Sequence, residues 1–285
     1  MTSDLRGSLF MTAAMAGFAI EDAFVKVICR SMALGQMLVL MGMLGVAVFA
    51  GLALLAGDAP LPRSALTATM AVRSGFEIAG RLFYALAIAL TPLATASAIL
   101  QATPLVVVLG AVLLFGERVS LGRWGLIVLG LVGVLVILRP GIDGFSPLSL
   151  LALLAMIGFA GRDLATRAAP MSLSNAQLGV AGYLMLTLSG LIILASSGEA
   201  TVPEGRLLGW LLLAAGFGIA AYAALTAAMR TGDVAVVTPF RYARLLFAMI
   251  LGRVVFGENP DAATLTGAGI IVSSGVILMA RRRAG

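Results

Sequence analysis

The chain has 285 residues, 61% hydrophobic and 11% charged, with 19 basic against 13 acidic side chains. Mean hydropathy is +1.08. A soluble domain carries roughly 25% charged residues, so this composition excludes a water-soluble globular protein and implies an integral membrane protein. The formal net charge of +6 would suggest nucleic acid in a soluble chain; here the arginines read as topology signals, and no nucleic-acid partner is expected. Histidine is absent and Cys29 is the single cysteine. That removes the commonest general base, the commonest metal ligand and any disulfide framework. No acid pair stands at catalytic spacing either, so no catalytic residue, metal or cofactor is expected.

About 20 apolar residues cross a hydrocarbon core. Ten segments meet this need, at 7–29, 33–56, 69–90, 94–115, 121–138, 147–168, 175–197, 208–229, 234–256 and 262–280. The first contains MAGFAIEDAFVK, which places Glu21, Asp22 and Lys26 inside an apolar run. Those charges, and the lack of a clean small-residue cleavage site, argue for a retained helix rather than a signal peptide. Asp22 and Lys26 are four apart and share a helix face. The third span carries Arg73, Glu77, Arg81 and Tyr84 on one stripe, which should face a wet interior. Glu77 can pair with either arginine, and Arg81 with Tyr84 can reach mid-depth, where a guanidinium receives a carboxylate by two hydrogen bonds. The rival explanation is a self-neutralised helix contact.

The fourth span holds Gln101 and Pro104, and the fifth is rich in glycine, with Gly125, Gly130 and Gly133. The sixth repeats the first: Asp163 and Arg167 stand four apart. One polar pair near each mouth suits two alternating gates; the alternative is that both pairs snorkel at the interfaces. The eighth span contains Tyr222. The ninth contains TPFRYAR, residues 238–244. Pro239 leaves a carbonyl unpaired and can hinge the helix. Arg241 and Arg244 share a face and suit a cavity, with Tyr242 beside them; snorkelling at the inner interface is the rival.

With the N-terminus inside, the inner segments hold Arg6, Arg63, Arg118, Arg123, Arg162, Arg167, Arg230, Arg281, Arg282 and Arg283, and the outer ones Arg30, Arg139 and Arg206. This bias places both termini in the cytoplasm.

The chain also repeats itself. A shift of 141 residues lays Met15, Gly17, Phe18, Ala19 and Asp22 on Met156, Gly158, Phe159, Ala160 and Asp163, and Lys26 on Arg167. Further on, Phe115, Gly116 and Glu117 fall on Phe256, Gly257 and Glu258. Arg81 falls on Tyr222, and Gln101 on Tyr242. The domains are therefore read as two five-helix units, residues 1–141 and 142–285. Five is odd, so the copies lie in opposite orientations. The loop charges agree: residues 116–123 carry two arginines, whereas residues 257–264 carry two acids and no base. Inverted repeats characterise secondary transporters, whose substrate site lies between the halves near the midplane.

The paired Phe-Gly-Glu endings of the fourth and ninth spans, and the Gly-rich fifth and tenth, resemble the drug/metabolite transporter superfamily. The likeness is to its EamA-type ten-helix members, over essentially the whole chain. The family prolines are not placed symmetrically: Pro104 aligns with Leu245, and Pro239 with Ala98. Within the family the chain is most similar to YddG-type amino-acid exporters. The resemblance implies an all-α integral membrane protein of ten helices around a central cavity. It also implies a bacterial inner-membrane exporter of small metabolites, amino acids including aromatic ones, working by alternating access. Related exporters of cationic drugs or other metabolites are the alternative, with a channel or embedded enzyme as rivals of another class. The expected site is Glu77, Arg81, Tyr84, Gln101, Tyr222, Arg241, Tyr242 and Arg244. Asp22, Lys26, Asp163 and Arg167 are the expected gates, and Pro104 and Pro239 the hinges. Partners are a small-molecule substrate and membrane lipid, with monomer and homodimer both open.

Overall fold

The computed structural model describes residues 2–29, 31–90, 99–100, 102–138, 148–197, 200, 202, 205–256 and 262–280. Among these there is no strand. The helices are α1 (Ser3–Ile28), α2 (Leu34–Leu55), α3 (Ala68–Leu90), α4 (Thr103–Phe115) and α5 (Leu121–Leu138) in the first half. The second half has α6 (Ser149–Ala168), α7 (Asn175–Ser197), α8 (Gly205–Met229), a broken ninth span and α10 (Ala262–Ala280). The ninth span consists of a single turn, α9a (Val234–Val237), a 3₁₀ segment (Thr238–Tyr242) and α9b (Ala243–Phe256). At 1.5 Å per residue, the 22 residues of α2 reach about 33 Å, enough for a bilayer core. Helices are the natural solution in hydrocarbon, where every backbone amide must find its partner within the segment.

The two expected hinges stand in different settings. Pro104, expected to hinge the fourth span, stands in the first turn of α4, just after helical residues 99–100 and a turn at Ala102. A proline there costs no hydrogen bond, because the first-turn amides have no intrahelical acceptor. Pro239, in contrast, lies inside the 3₁₀ segment that interrupts the ninth span, as its missing N–H requires. The Phe-Gly-Glu ending of α4 also gains a reason: Gly116 takes a left-handed φ of +66° and closes the helix, a conformation that glycine alone adopts without strain.

The major helix contacts join the two halves. The α2–α7, α1–α8, α3–α6 and α5–α10 seams are the most extensive. Exchanging the halves turns α1–α8 into α6–α3 and leaves α2–α7 and α5–α10 unchanged, so the packing has the symmetry of two inverted five-helix repeats. Small residues permit the approach. A Cβ on Gly190 of α7 would lie 2.9 Å from the carbonyl oxygen of Gly35 on α2, and one on Gly133 of α5 would lie 2.9 Å from that of Gly267 on α10. The glycine-rich faces of the fifth and tenth spans thus meet within the chain.

The largest buried apolar cluster takes Met11 from α1, Phe49 from α2, Val107 from α4, Tyr183 from α7 and Tyr222 from α8. Outward-facing Leu54, Leu113 and Val254 are more than half exposed, forming the surface that lipid covers. Among the described residues, five segments are long and apolar enough to cross a membrane: α1, α2, α7, α8 and the ninth span. α3 carries the buried Arg73 and Glu77, and α6 the buried Arg162 and Asp163.

Candidate functional site

Apolar packing alone would leave the α3–α6 seam dry, yet both helices turn charges toward it. Glu77 of α3 is fully buried and joins three helices. Its Oε1 accepts from Arg81 Nε at 3.2 Å and from Arg162 Nη1 of α6 at 3.4 Å, and its Oε2 accepts from the Tyr222 hydroxyl of α8 at 3.0 Å. Arg73, one turn before Glu77, is also fully buried. Its Nε donates to Thr166 Oγ1 at 2.9 Å and its Nη2 to the Tyr222 hydroxyl oxygen at 2.7 Å. Asp163 accepts from Arg162 Nε at 2.9 Å and from Arg241 of the 3₁₀ segment. Arg244 Nε of α9b donates to Asp22 Oδ2 of α1 at 3.0 Å. Aromatic faces complete the seam. The Arg162 guanidinium lies 5.2 Å from the Phe159 ring centre, and that of Arg244 lies 5.3 Å from Phe18. A crevice too narrow to hold a water molecule adjoins this network, lined in part by Arg73, Arg162, Thr166, Tyr222 and Thr226.

The expected site residues divide. Glu77, Arg81, Tyr222 and Arg241 belong to one connected network, and Arg244 to a neighbouring pair. Tyr84 lies edge-on to Phe159, ring centres 5.9 Å apart, beside the network. Gln101 lies outside the described residues. Tyr242 is a correction: it is buried against Gly130 of α5 and donates to the Ile127 carbonyl at 3.2 Å. The break in the ninth span directs its ring toward α5 and α10, away from Arg241.

The expected gates differ too. Asp163 bonds Arg162 and Arg241 rather than Arg167, which sits 3.7 Å from Glu117. Asp22 bonds Arg244, and the Lys26 side chain lies outside what is described. The ninth span supplies a partner to each acid, Arg241 to Asp163 and Arg244 to Asp22, and so ties α6 and α1 to it. Arg162 had been counted as an inner topology signal, but it is buried and central. Its signal in the sequence was adjacency: a basic and an acidic residue side by side within one apolar span. Thr166 and Thr226 carry no such signal, since single threonines are common in membrane helices.

A second cluster closes the end of the bundle expected to be cytoplasmic. Asp233 caps α9a by accepting from Ala235 N at 2.8 Å, and its own backbone N–H donates to Asp4 Oδ1 of α1 at 2.8 Å. Arg123 at the start of α5 donates to Asp233 Oδ2 at 3.1 Å. Glu117, just beyond α4, hydrogen-bonds Asp233; burial first, and then the Asp233 carboxylate, push the Glu117 carboxyl up. Arg230 donates to the Leu173 carbonyl at 2.6 Å and ties the α8 end to the α6–α7 turn.

A riboflavin transporter of Rhizobium johnstonii is 31% identical over 193 residues, which are 67% of this chain and 63% of that protein. An S-adenosylmethionine uptake transporter of Rickettsia felis is 28% identical over 196 residues, 69% of this chain and 65% of that protein. The matches thus span less than two thirds of these relatives' own length. A solved crystal structure covers 98% of this chain and 99% of its own at a TM-score of 0.79 and 22% identity, which establishes the shared fold. The profile of the EamA-like transporter family matches twice, over residues 5–139 and 147–280. Matched across both halves, the chain belongs to the EamA-like transporter family.

Proposed function

We propose that the protein is a membrane carrier of small metabolites, amino acids foremost, that works by alternating access of its two inverted halves. One observation supports this above the rest: the interior ion network bridges the halves. Glu77 on α3 meets Arg162 on α6 and Tyr222 on α8, and Asp22 on α1 meets Arg244 on α9b. A charge at bilayer depth costs about 2.5–3.5 kcal/mol on insertion scales. Charges concentrated on an interface between two inverted units suit a path for polar solute better than a purely structural contact. The gates are the seams themselves, with Asp22, Asp163 and Arg167 each paired across helices, and Pro239 the hinge.

The setting proposed is a bacterial inner membrane with both termini cytoplasmic and export as the net direction. Among transported solutes an α-amino carboxylate is the feature that the guanidinium-rich seam would recognise. S-adenosylmethionine, which the Rickettsia felis relative is named for, carries that group as well; riboflavin does not. Counterflow in proteoliposomes against labelled amino acids, S-adenosylmethionine and riboflavin tests the reading. Accelerated exchange of the first two supports it. Amino acids crossing no faster than through empty vesicles would remove the amino-acid assignment.

A further inference from the structure

Deep within the spans, the described side chains include four carboxylates, Glu21, Asp22, Glu77 and Asp163. Guanidinium groups hold three of them. Arg81 and Arg162 reach Glu77, Arg162 and Arg241 share Asp163, and Arg244 holds Asp22. Glu21 differs: it is half-buried, and its carboxylate accepts no hydrogen bond among the described residues. The repeat shows what it lacks. The 141-residue shift lays Glu21 on Arg162, and Glu77 on Gly218. Across the α3–α6 seam Glu77 and Arg162 pair; across the exchanged α8–α1 seam Glu21 meets a glycine, on which a Cβ would stand 2.6 Å from Glu21 Oε1. An interior carboxylate without a donor is costly. The charged groups acting on it are Arg81 of α3, Arg244 of α9b and its neighbour Asp22. Arg244 is engaged by Asp22. Arg81 acts on Glu21 through space and, among the described residues, forms its ion pair with Glu77 alone, through Nε. Its Nη1 and Nη2 donate to no group among the described residues, and the side chain is 20% exposed. Both poles, the guanidinium end of Arg81 and the carboxylate of Glu21, thus keep surface that water reaches.

From this we propose that Arg81 and Glu21 are the two poles of a seat for the substrate's α-amino carboxylate. The Nη1–Nη2 edge of Arg81 takes the carboxylate by two parallel hydrogen bonds, and Glu21 takes the ammonium. The seat rests on the carrier reading above and adds Glu21, whose place in the repeat is that of Arg162, to the residues that meet substrate. A zwitterion carries no net charge, so it needs no surplus guanidinium in the seam. It converts one unmade ion pair, Arg81 with Glu21, into two made ones. The Glu77 bond fixes Arg81 without occupying the edge that binds, and glycine at position 218 leaves the Glu21 carboxylate its place beside α8.

The test uses purified full-length protein in detergent at constant ionic strength and about pH 6, below the α-amino pKa. Thermal stabilisation is titrated with L-leucine and L-phenylalanine, with their amides, which keep only the ammonium, and with their deaminated acids, which keep only the carboxylate. The amino acids are expected to stabilise the wild type at lower concentration than either one-pole analogue. Glu21→Gln is expected to weaken amino-acid affinity about tenfold or more, as loss of a charge-assisted hydrogen bond implies, and to leave the deaminated acids unaffected. Arg81→Gln is expected to do the reverse, weakening the amino acids and the deaminated acids and sparing the amides. Should Arg81→Gln not fold, Gly218→Ala displaces the Glu21 carboxylate while leaving every ion pair intact, and it is expected to repeat the Glu21→Gln pattern. Amino-acid affinity unchanged in Glu21→Gln and Gly218→Ala, equal losses for amino acids and deaminated acids in Glu21→Gln, or no amino-acid response in the wild type would each overturn the seat. Amino-acid counterflow is read in parallel. Its absence alongside a Glu21-dependent amino-acid response refutes the carrier reading and leaves the seat standing. Full counterflow in Glu21→Gln with an unchanged KM refutes the seat and leaves the carrier standing.

Discussion

Glu77 is held by two guanidinium groups and a phenol drawn from three helices. Glu77→Gln removes the negative charge that Arg81 and Arg162 both share. Breaking a buried pair from one side costs about 3–5 kcal/mol, because the remaining charge stays buried without compensation. Thermal unfolding in detergent will therefore fall clearly below wild type in that variant. Tyr242→Phe supplies the contrast. It loses one hydrogen bond to the Ile127 carbonyl, worth about 1 kcal/mol; stability will drop slightly while counterflow selectivity stays that of the wild type. Loss of selectivity would return Tyr242 to the substrate path. The sequence made Glu77, Arg81 and Tyr222 legible because charge spacing and the repeat single them out. It misplaced Tyr242, since nothing in TPFRYAR announces that a 3₁₀ segment resets the facing of the residues after Pro239. Arg162 was visible as a charge and misread as a loop residue, because span ends are blurred where arginines stand close to them.

Spans were the most legible elements, since ten apolar runs punctuated by charge, proline and glycine leave little freedom to a helix in lipid. What periodicity could not supply was the partner of each helix. The α2–α7 seam depends on Gly35 and Gly190, glycines indistinguishable in the sequence from many others. At the element scale the cluster joining α4, α5, α6 and α9a predicts a pH response. The groups facing Glu117 are Asp233 and Arg167, with Arg123 and Asp4 on the far side of Asp233. A carboxyl whose pKa is raised in the closed cluster favours closure while it is protonated, and that contribution is lost as pH rises through the raised pKa. The distance between spin labels at positions 6 and 118 will lengthen as pH increases. Glu117→Gln will keep the short distance throughout, because it retains a hydrogen bond to Asp233 without the repulsion. Equal pH dependence in both proteins would remove Glu117 from the latch.

For the molecule as a whole, reversal of the second half is the organising fact. Single cysteines at Ser120 and Thr264, introduced with Cys29→Ala, will react with impermeant reagent from opposite faces of intact cells; labelling from one face alone would contradict the inverted arrangement. The seams described above have a consequence for biogenesis. α3 leaves the translocon carrying Arg73, Glu77 and Arg81 before α6 or α8, which supply most of their partners, has been synthesised. Only the Glu77–Arg81 pair, four residues apart, neutralises charge at that moment. The early half must therefore wait in the bilayer, or at the insertion machinery, as an unfinished interface. Residues 1–141 and 142–285 produced as separate polypeptides will each be degraded when alone and will protect one another when made in the same cell, a pulse-chase result that measures how completely each half depends on the other for its maturation.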